Sequence, residues 1–163
     1  LVVFGIGYMF YGIFSAPQIG PIGSTHQHID LLIHVDGQII DLNQTQYAHQ
    51  SNYAHLHQNE TDVIHLHAIN IPLSWFMDSL NIPITDSSLT LDGQTYNEDE
   101  LNKLHIIING EEIDDIEYVL QDEDKLLVLY GPENEEEIEE IIELIPDRAR
   151  VVNARAPDEN VGS

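Results

Sequence analysis

Two short stretches alternate with period two, and that pattern constrains the fold more than any other feature of this chain. Thr25 to Val35 reads THQHIDLLIHV, with Ile29, Leu31, Ile33 and Val35 on one parity. His26, His28, Asp30 and His34 occupy the other parity. Val63 to Ile69 reads VIHLHAI, with His65 and His67 two apart. A repeat of two places successive side chains on opposite faces of a strand. The apolar set therefore faces a core, and the histidines share the opposite face.

The remaining elements follow from turn and capping signals. Asp36-Gly37 is a hairpin turn, and Gln38 to Leu42 returns from it as a strand. Asn43 to Asp62 is polar and reads as an elaborated loop. Pro72 to Leu80 carries an i, i+3, i+4, i+7 face of Leu73, Phe76, Met77 and Leu80, which predicts a helix. Asn81 to Glu100 is turn-rich around Asp92-Gly93. Leu104 to Asn109 predicts a strand that ends at Asn109-Gly110, Glu111 to Leu120 contains a short one, and Lys125 to Tyr130 predicts the last. Asn134, with Glu137 three residues on, caps a predicted helix from Glu135 to Ile145. Pro146 ends that helix.

The expected fold class is α+β. It is a small mixed sheet with one central helix, β-grasp-like from Leu104 to Tyr130, with an acidic C-terminal helix and an extended apolar N-terminal segment. The organisation reads as residues 1–23 for an apolar anchor or assembly segment plus linker and 24–132 for a His-rich domain. Residues 133–146 form the acidic helix and 147–163 a tail.

Charge excludes several partners. Five basic residues stand against 29 acidic ones, for a formal net charge of −24. Nucleic acid and anionic lipid head groups are repelled by such a chain, and cations are attracted. The absence of cysteine removes disulfides, thiolate metal sites and thiol nucleophiles.

Leu1 to Phe14 reads LVVFGIGYMFYGIF. As a helix, 14 residues reach roughly 21 Å, short of the ~30 Å hydrocarbon core. Three readings stay open: the end of a membrane anchor or signal segment, a helix buried in an assembly, or a strand that completes a neighbouring subunit's sheet. All three place the protein at the cell surface or outside the cell. They imply a homo-oligomer or filament through residues 1–14, or membrane anchoring. Asn43-Gln44-Thr45 and Asn59-Glu60-Thr61 are glycosylation sequons on an exported chain.

The chemistry lies in the histidines. Eight of the nine fall between His26 and His67, and His-x-His occurs as His26/His28, His55/His57 and His65/His67. Strand residues i and i+2 stand about 6.5–7 Å apart on one face, so paired imidazoles can approach one ion. Imidazole is a ligand for zinc, copper and nickel. His34 and His49 are further candidates, and Asp30 or Asp62 could add an oxygen or orient a ring. His105, alone on an apolar strand, reads as structural.

The chain also resembles a family of uncharacterised archaeal exported proteins. The resemblance rests on Gly20-Pro21-Ile22-Gly23-Ser24-Thr25-His26-Gln27-His28, Val35-Asp36-Gly37, Val63-Ile64-His65-Leu66-His67-Ala68, Ile108-Asn109-Gly110 and Leu127-Val128-Leu129-Tyr130-Gly131-Pro132-Glu133. It covers roughly Gly20 to Asp147, and implies an N-terminal membrane or signal segment and histidine pairs at His26/His28 and His65/His67. Many members carry a cysteine pair after the central helix. Here Asp86-Ser87-Ser88-Leu89 stands in that region.

The function that follows is an exported surface protein, a self-assembling and filament-forming subunit that binds copper or zinc and is not an enzyme. The alternatives are a membrane-anchored monomeric module that scavenges or carries the metal, and a cupin-like metalloenzyme. The histidines and acid between Gly23 and Gly37 loosely resemble a cupin metal motif. No serine nucleophile elbow and no phosphate-binding glycine loop occurs in the sequence.

Overall fold

The computed structural model describes residues 18–155. The run at 1–14, with the assembly and anchoring expected of it, lies outside the described residues. The fold is α+β, with a seven-stranded mixed sheet, a three-stranded sheet and three helices.

The first long strand, β1 (Gln27–Val35), leads through Asp36-Gly37 into a two-residue β2 (Gln38–Ile39). Next come β3 (Ala54–His57), β4 (Glu60–Leu66) and helix α1 (Leu73–Ser79). A small sheet of β5 (Ile84–Thr85), β6 (Ser88–Leu91) and β7 (Gln94–Asn97) follows. The chain then returns through β8 (Lys103–Ile108), β9 (Glu111–Glu112) and β10 (Lys125–Gly131) to α2 (Glu135–Ile142) and α3 (Ala149–Arg155).

The main sheet runs β3-β4-β1-β10-β8-β9, with β2 beside β1. β1 and β10 are parallel at its centre, and each has an antiparallel neighbour outside it. This is the β-grasp-like arrangement expected from the C-terminal half. Asp36-Gly37, Asp92-Gly93 and Asn109-Gly110 each have positive φ at both residues, as type I′ hairpin turns require. Among the described residues no helix is long and apolar enough to cross a membrane.

Both faces of the sheet are covered. Ile29, Leu31, Ile33 and Val35 join Phe76, Met77 and Leu73 of α1 in the larger core. On the opposite face, Leu32, Leu127, Leu129 and Ile107 pack under Ile141 and Ile145 at and beyond the end of α2. Register explains this second core, because Leu32 pairs with Leu127 and Leu127 with Ile107, in one row.

His28, Asp30 and His34 on the other parity are buried. Some sequence expectations change. The stretch 43–62, expected to be a loop, contains β3 and the start of β4. Residues 149–155 of the expected tail form α3, which packs on β1. The acidic helix begins as expected but ends at Ile142 rather than Ile145; at its start Asn134 Oδ1 accepts from Glu136 N and Glu137 N, while Glu137 Oε2 accepts from Asn134 N.

Candidate metal centre

Antiparallel pairing aligns the histidines in a row. His28 on β1 stands directly opposite His65 on β4, and His65 stands opposite His55 on β3. Directly opposed residues bring their Cβ atoms to about 4.5–5.5 Å. His26 and His67, flanking those strands, extend the patch with ring centroids 5.0 Å apart. A bulge after Leu56 shifts the register and turns His57 toward His65, at 4.2 Å between ring centroids.

His49 arrives from outside the sheet. Its backbone N donates to Leu56 O at 3.1 Å, which folds the preceding loop onto β3. It does so with φ of 52°, a left-handed conformation uncommon outside glycine. The ring comes within 4.8 Å of His57 and 5.0 Å of His55, centroid to centroid. Seven imidazoles therefore form one continuous patch: His26, His28, His49, His55, His57, His65 and His67.

Two groups of three within the patch can each hold an ion. His26, His28 and His65 form one, and His49, His55 and His57 the other, with ligand atoms inside each group within 4.8 Å of one another. Tetrahedral bonds of 2.0–2.1 Å would set nitrogens roughly 3.3 Å apart. His55 Nε2 and His57 Nε2 already stand 3.2 Å apart. All the histidines of the patch except His49 line a cavity of about 480 Å³ together with Glu60, Val152 and Arg155.

Outer contacts decide which nitrogens face the cavity. His55 Nδ1 donates to the Ser51 carbonyl at 2.9 Å, so it carries the proton and Nε2 is left as the acceptor that meets His57 Nε2 at 3.2 Å. His28 Nδ1 meets Asn153 Oδ1 of α3 in the same way. Asn153 Nδ2 is in turn held by Asp122 Oδ1 and Glu123 Oε1. His65 Nε2 is buried with no hydrogen-bond partner. Glu60 Oε2 lies 4.0 Å from it, too far for a hydrogen bond, and Arg148 engages the Glu60 carboxylate instead at 2.6 Å. A buried unpaired nitrogen costs roughly 1–3 kcal/mol.

Burial holds three imidazoles of the patch neutral. Burial, and then the neighbouring imidazoles, push His65 down to about 2. Burial likewise lowers His55 to about 4, against the opposing effect of the Ser51 carbonyl. His67 is lowered by burial and by His26, His28 and His57. Neutral imidazoles keep the lone pairs a metal needs.

Not every expected ligand is here. His34 lies six residues along β1 from His28, about 20 Å by strand rise. Its Nδ1 is 3.5 Å from Glu133 Oε1 with no hydrogen bond, buried apart from the patch. Asp30 is not a ligand either: its Oδ1 accepts from Arg148 N and Ala149 N at the start of α3. Burial raises its pKa, and those two bonds oppose the rise. Asp62 accepts from Arg148 Nη1 at 2.6 Å. His105 is paired with Glu112 Oε1, in keeping with a structural role. The sequon residues Asn43 and Asn59 are both exposed, and Asn59 N donates to Asn43 Oδ1 at 3.1 Å.

Two contributors escaped the pairwise motif. His49 has no partner two residues away, and Asn153 lies in the expected tail, so only the fold attaches them to the site. The alternation of Ala54 and Leu56 against His55 and His57 was the available signal for β3. The sheet is open, with β3 and β9 at its edges, so the barrel that a cupin-like site requires is not the architecture here. No protein-family model matches the chain, and no curated protein or solved structure matches it.

Proposed function

We propose that this protein binds transition-metal ions, copper or zinc, through the imidazole patch, with up to two ions per chain. The single observation that carries this reading is the convergence of two imidazole triads, one containing a buried His65 Nε2 with no hydrogen-bond partner. A coordinating ion gives that nitrogen the partner it lacks. Ligand type supports the same class of ion, since an all-imidazole set suits copper, zinc and nickel, while calcium and magnesium prefer oxygen. Asn153 and the Ser51 carbonyl act as the hydrogen-bonded supports such ligands use.

In this reading the protein is a non-enzymatic binder at the cell surface. Export rests on the apolar run at 1–14, and the acidic surface concentrates cations near the patch. Assembly into a filament or a homo-oligomer through that run belongs to the same proposal, with ion binding stabilising the folded subunit by linkage.

The test is elemental analysis of natively purified protein, followed by calorimetric titration of the metal-free protein with Zn²⁺ and Cu²⁺. The expected content is between one and two transition-metal ions per chain. Less than one after gentle isolation, with no saturable uptake by the metal-free protein, would overturn the proposal.

A further inference from the structure

Cations in this protein are scarce and nearly all spoken for. Lys103 pairs with Glu98 at 3.7 Å, and Lys125 with Asp147 at 3.3 Å. Arg148 bridges Glu60 and Asp62 at 2.6 Å each, and Arg150 meets Asp147 at 2.7 Å. Among the described residues, Arg155 alone of the five basic side chains has no carboxylate partner. Yet it lines the histidine cavity, beside a patch meant for cations.

That placement is unfavourable if the cavity receives only metal ions. An unneutralised guanidinium repels them, and 29 acidic residues were available to pair with it. Glu60, the one carboxylate that lines the cavity among the described residues, already has its charge answered by Arg148. Three neutral imidazoles leave a divalent ion with its full charge uncompensated and, at four-coordination, with one open position. The cavity of about 480 Å³ has room beyond the ions themselves.

We infer that the metal-loaded cavity takes a small oxyanion, held between the open coordination position of an ion and the Arg155 guanidinium. This rests on the metal-binding reading above. The chemistry is that of a phosphate or a carboxylate. Both present paired oxygens that match the planar guanidinium fork, and both supply the negative charge that the ions and Arg155 lack. The ligand is thus an anion recognised only once metal is present, in a protein whose overall charge repels anions.

The experiment uses the full chain, loaded with Zn²⁺ and freed of excess metal, titrated calorimetrically with inorganic phosphate and separately with acetate. The expected result is saturable binding to the loaded protein and none to the metal-free protein. Arg155→Gln should weaken it about tenfold, and Arg155→Lys by less, with zinc content unchanged in both. Saturable binding of either anion supports the inference, and their relative affinity identifies the ligand class. Equal binding by the metal-free protein, or no loss in Arg155→Gln, overturns it. If zinc is retained but neither anion binds, this inference falls while metal binding stands. If zinc is not taken up, both fall.

Discussion

The second face of the main sheet is one surface with two unlike halves. Toward the C-terminal half of β1, Leu32, Leu127, Leu129 and Ile107 are sealed beneath Ile141 and Ile145. Toward its N-terminal half, His28, His65 and His55 lie beside α3, whose own buried side chain is only Ala149. α3 is held instead by polar contacts: Asp30 at its first turn, Arg148 across Glu60 and Asp62, and Asn153 on His28. The apolar half gains stability by excluding water. The histidine half gives some of that gain up, because it keeps a cavity. A single strand can therefore carry a core at one end and a binding site at the other.

The contrast can be broken most forcefully in the apolar half. Leu127→Ala should cost about 2–5 kcal/mol in urea denaturation, because Leu127 is fully buried and the void cannot collapse freely between two layers. Metal stoichiometry should be unchanged where the variant is folded. A loss of metal binding in that folded variant would show that the halves are not independent.

The histidine half should respond with the opposite sign. His65→Leu replaces an unpartnered buried nitrogen with apolar volume, so the metal-free protein should gain roughly 1 kcal/mol. The same variant should lose ion binding at the His26/His28/His65 triad. Its pH dependence should change as well. His55 and His65 have folded pKa values below the unfolded 6.5, so the unfolded chain takes up protons that the folded chain refuses. Their contribution is full above pH 6.5 and is lost as pH falls toward the folded values of about 4 and about 2. Denaturation of the metal-free protein from pH 7 to pH 4 should show stability falling, with a shallower fall in His65→Leu. A destabilised His65→Leu protein with unaltered pH dependence would refute the account of that half.

A third test concerns the seam between the two. Asn153→Ala removes the acceptor that orients His28 while leaving every imidazole in place. Metal affinity should fall about 10–100-fold, with stoichiometry preserved, in competition with a chromophoric chelator. Unchanged affinity would mean that α3 merely covers the site.

Much of the first face was legible from pattern. Period two at Ile29 to Val35, the helical face of Leu73, Phe76 and Met77, and three Asx-Gly turns are local signals, set by backbone geometry and side-chain size. The second face was harder because its alternation is mixed. Leu32 shares the parity of His28 and Asp30 and is buried, and the continuous run KLLVLY in β10 signals burial on both faces. Those two clues foretell a second layer, but not which segment supplies it. α3 is short and has a single buried residue, so it carries almost no periodicity to read.

The sequence by itself determined the longer strands β1, β8 and β10, the Asx-Gly turns, the acidic capped helix and the presence of paired imidazoles, because each depends on residues within a few positions of one another. Which imidazoles meet was decided by tertiary structure. His28, His65 and His55 share a row only because β4 pairs with both β1 and β3 in one register, while His34, on the same face of the same strand, is carried away by strand rise. His49 reaches the His55 and His57 rings through a folded-back loop, and a docked helix brings Asn153 to His28 and Arg155 to the cavity. Convergence of this kind is a property of long-range pairing, which no local spacing encodes.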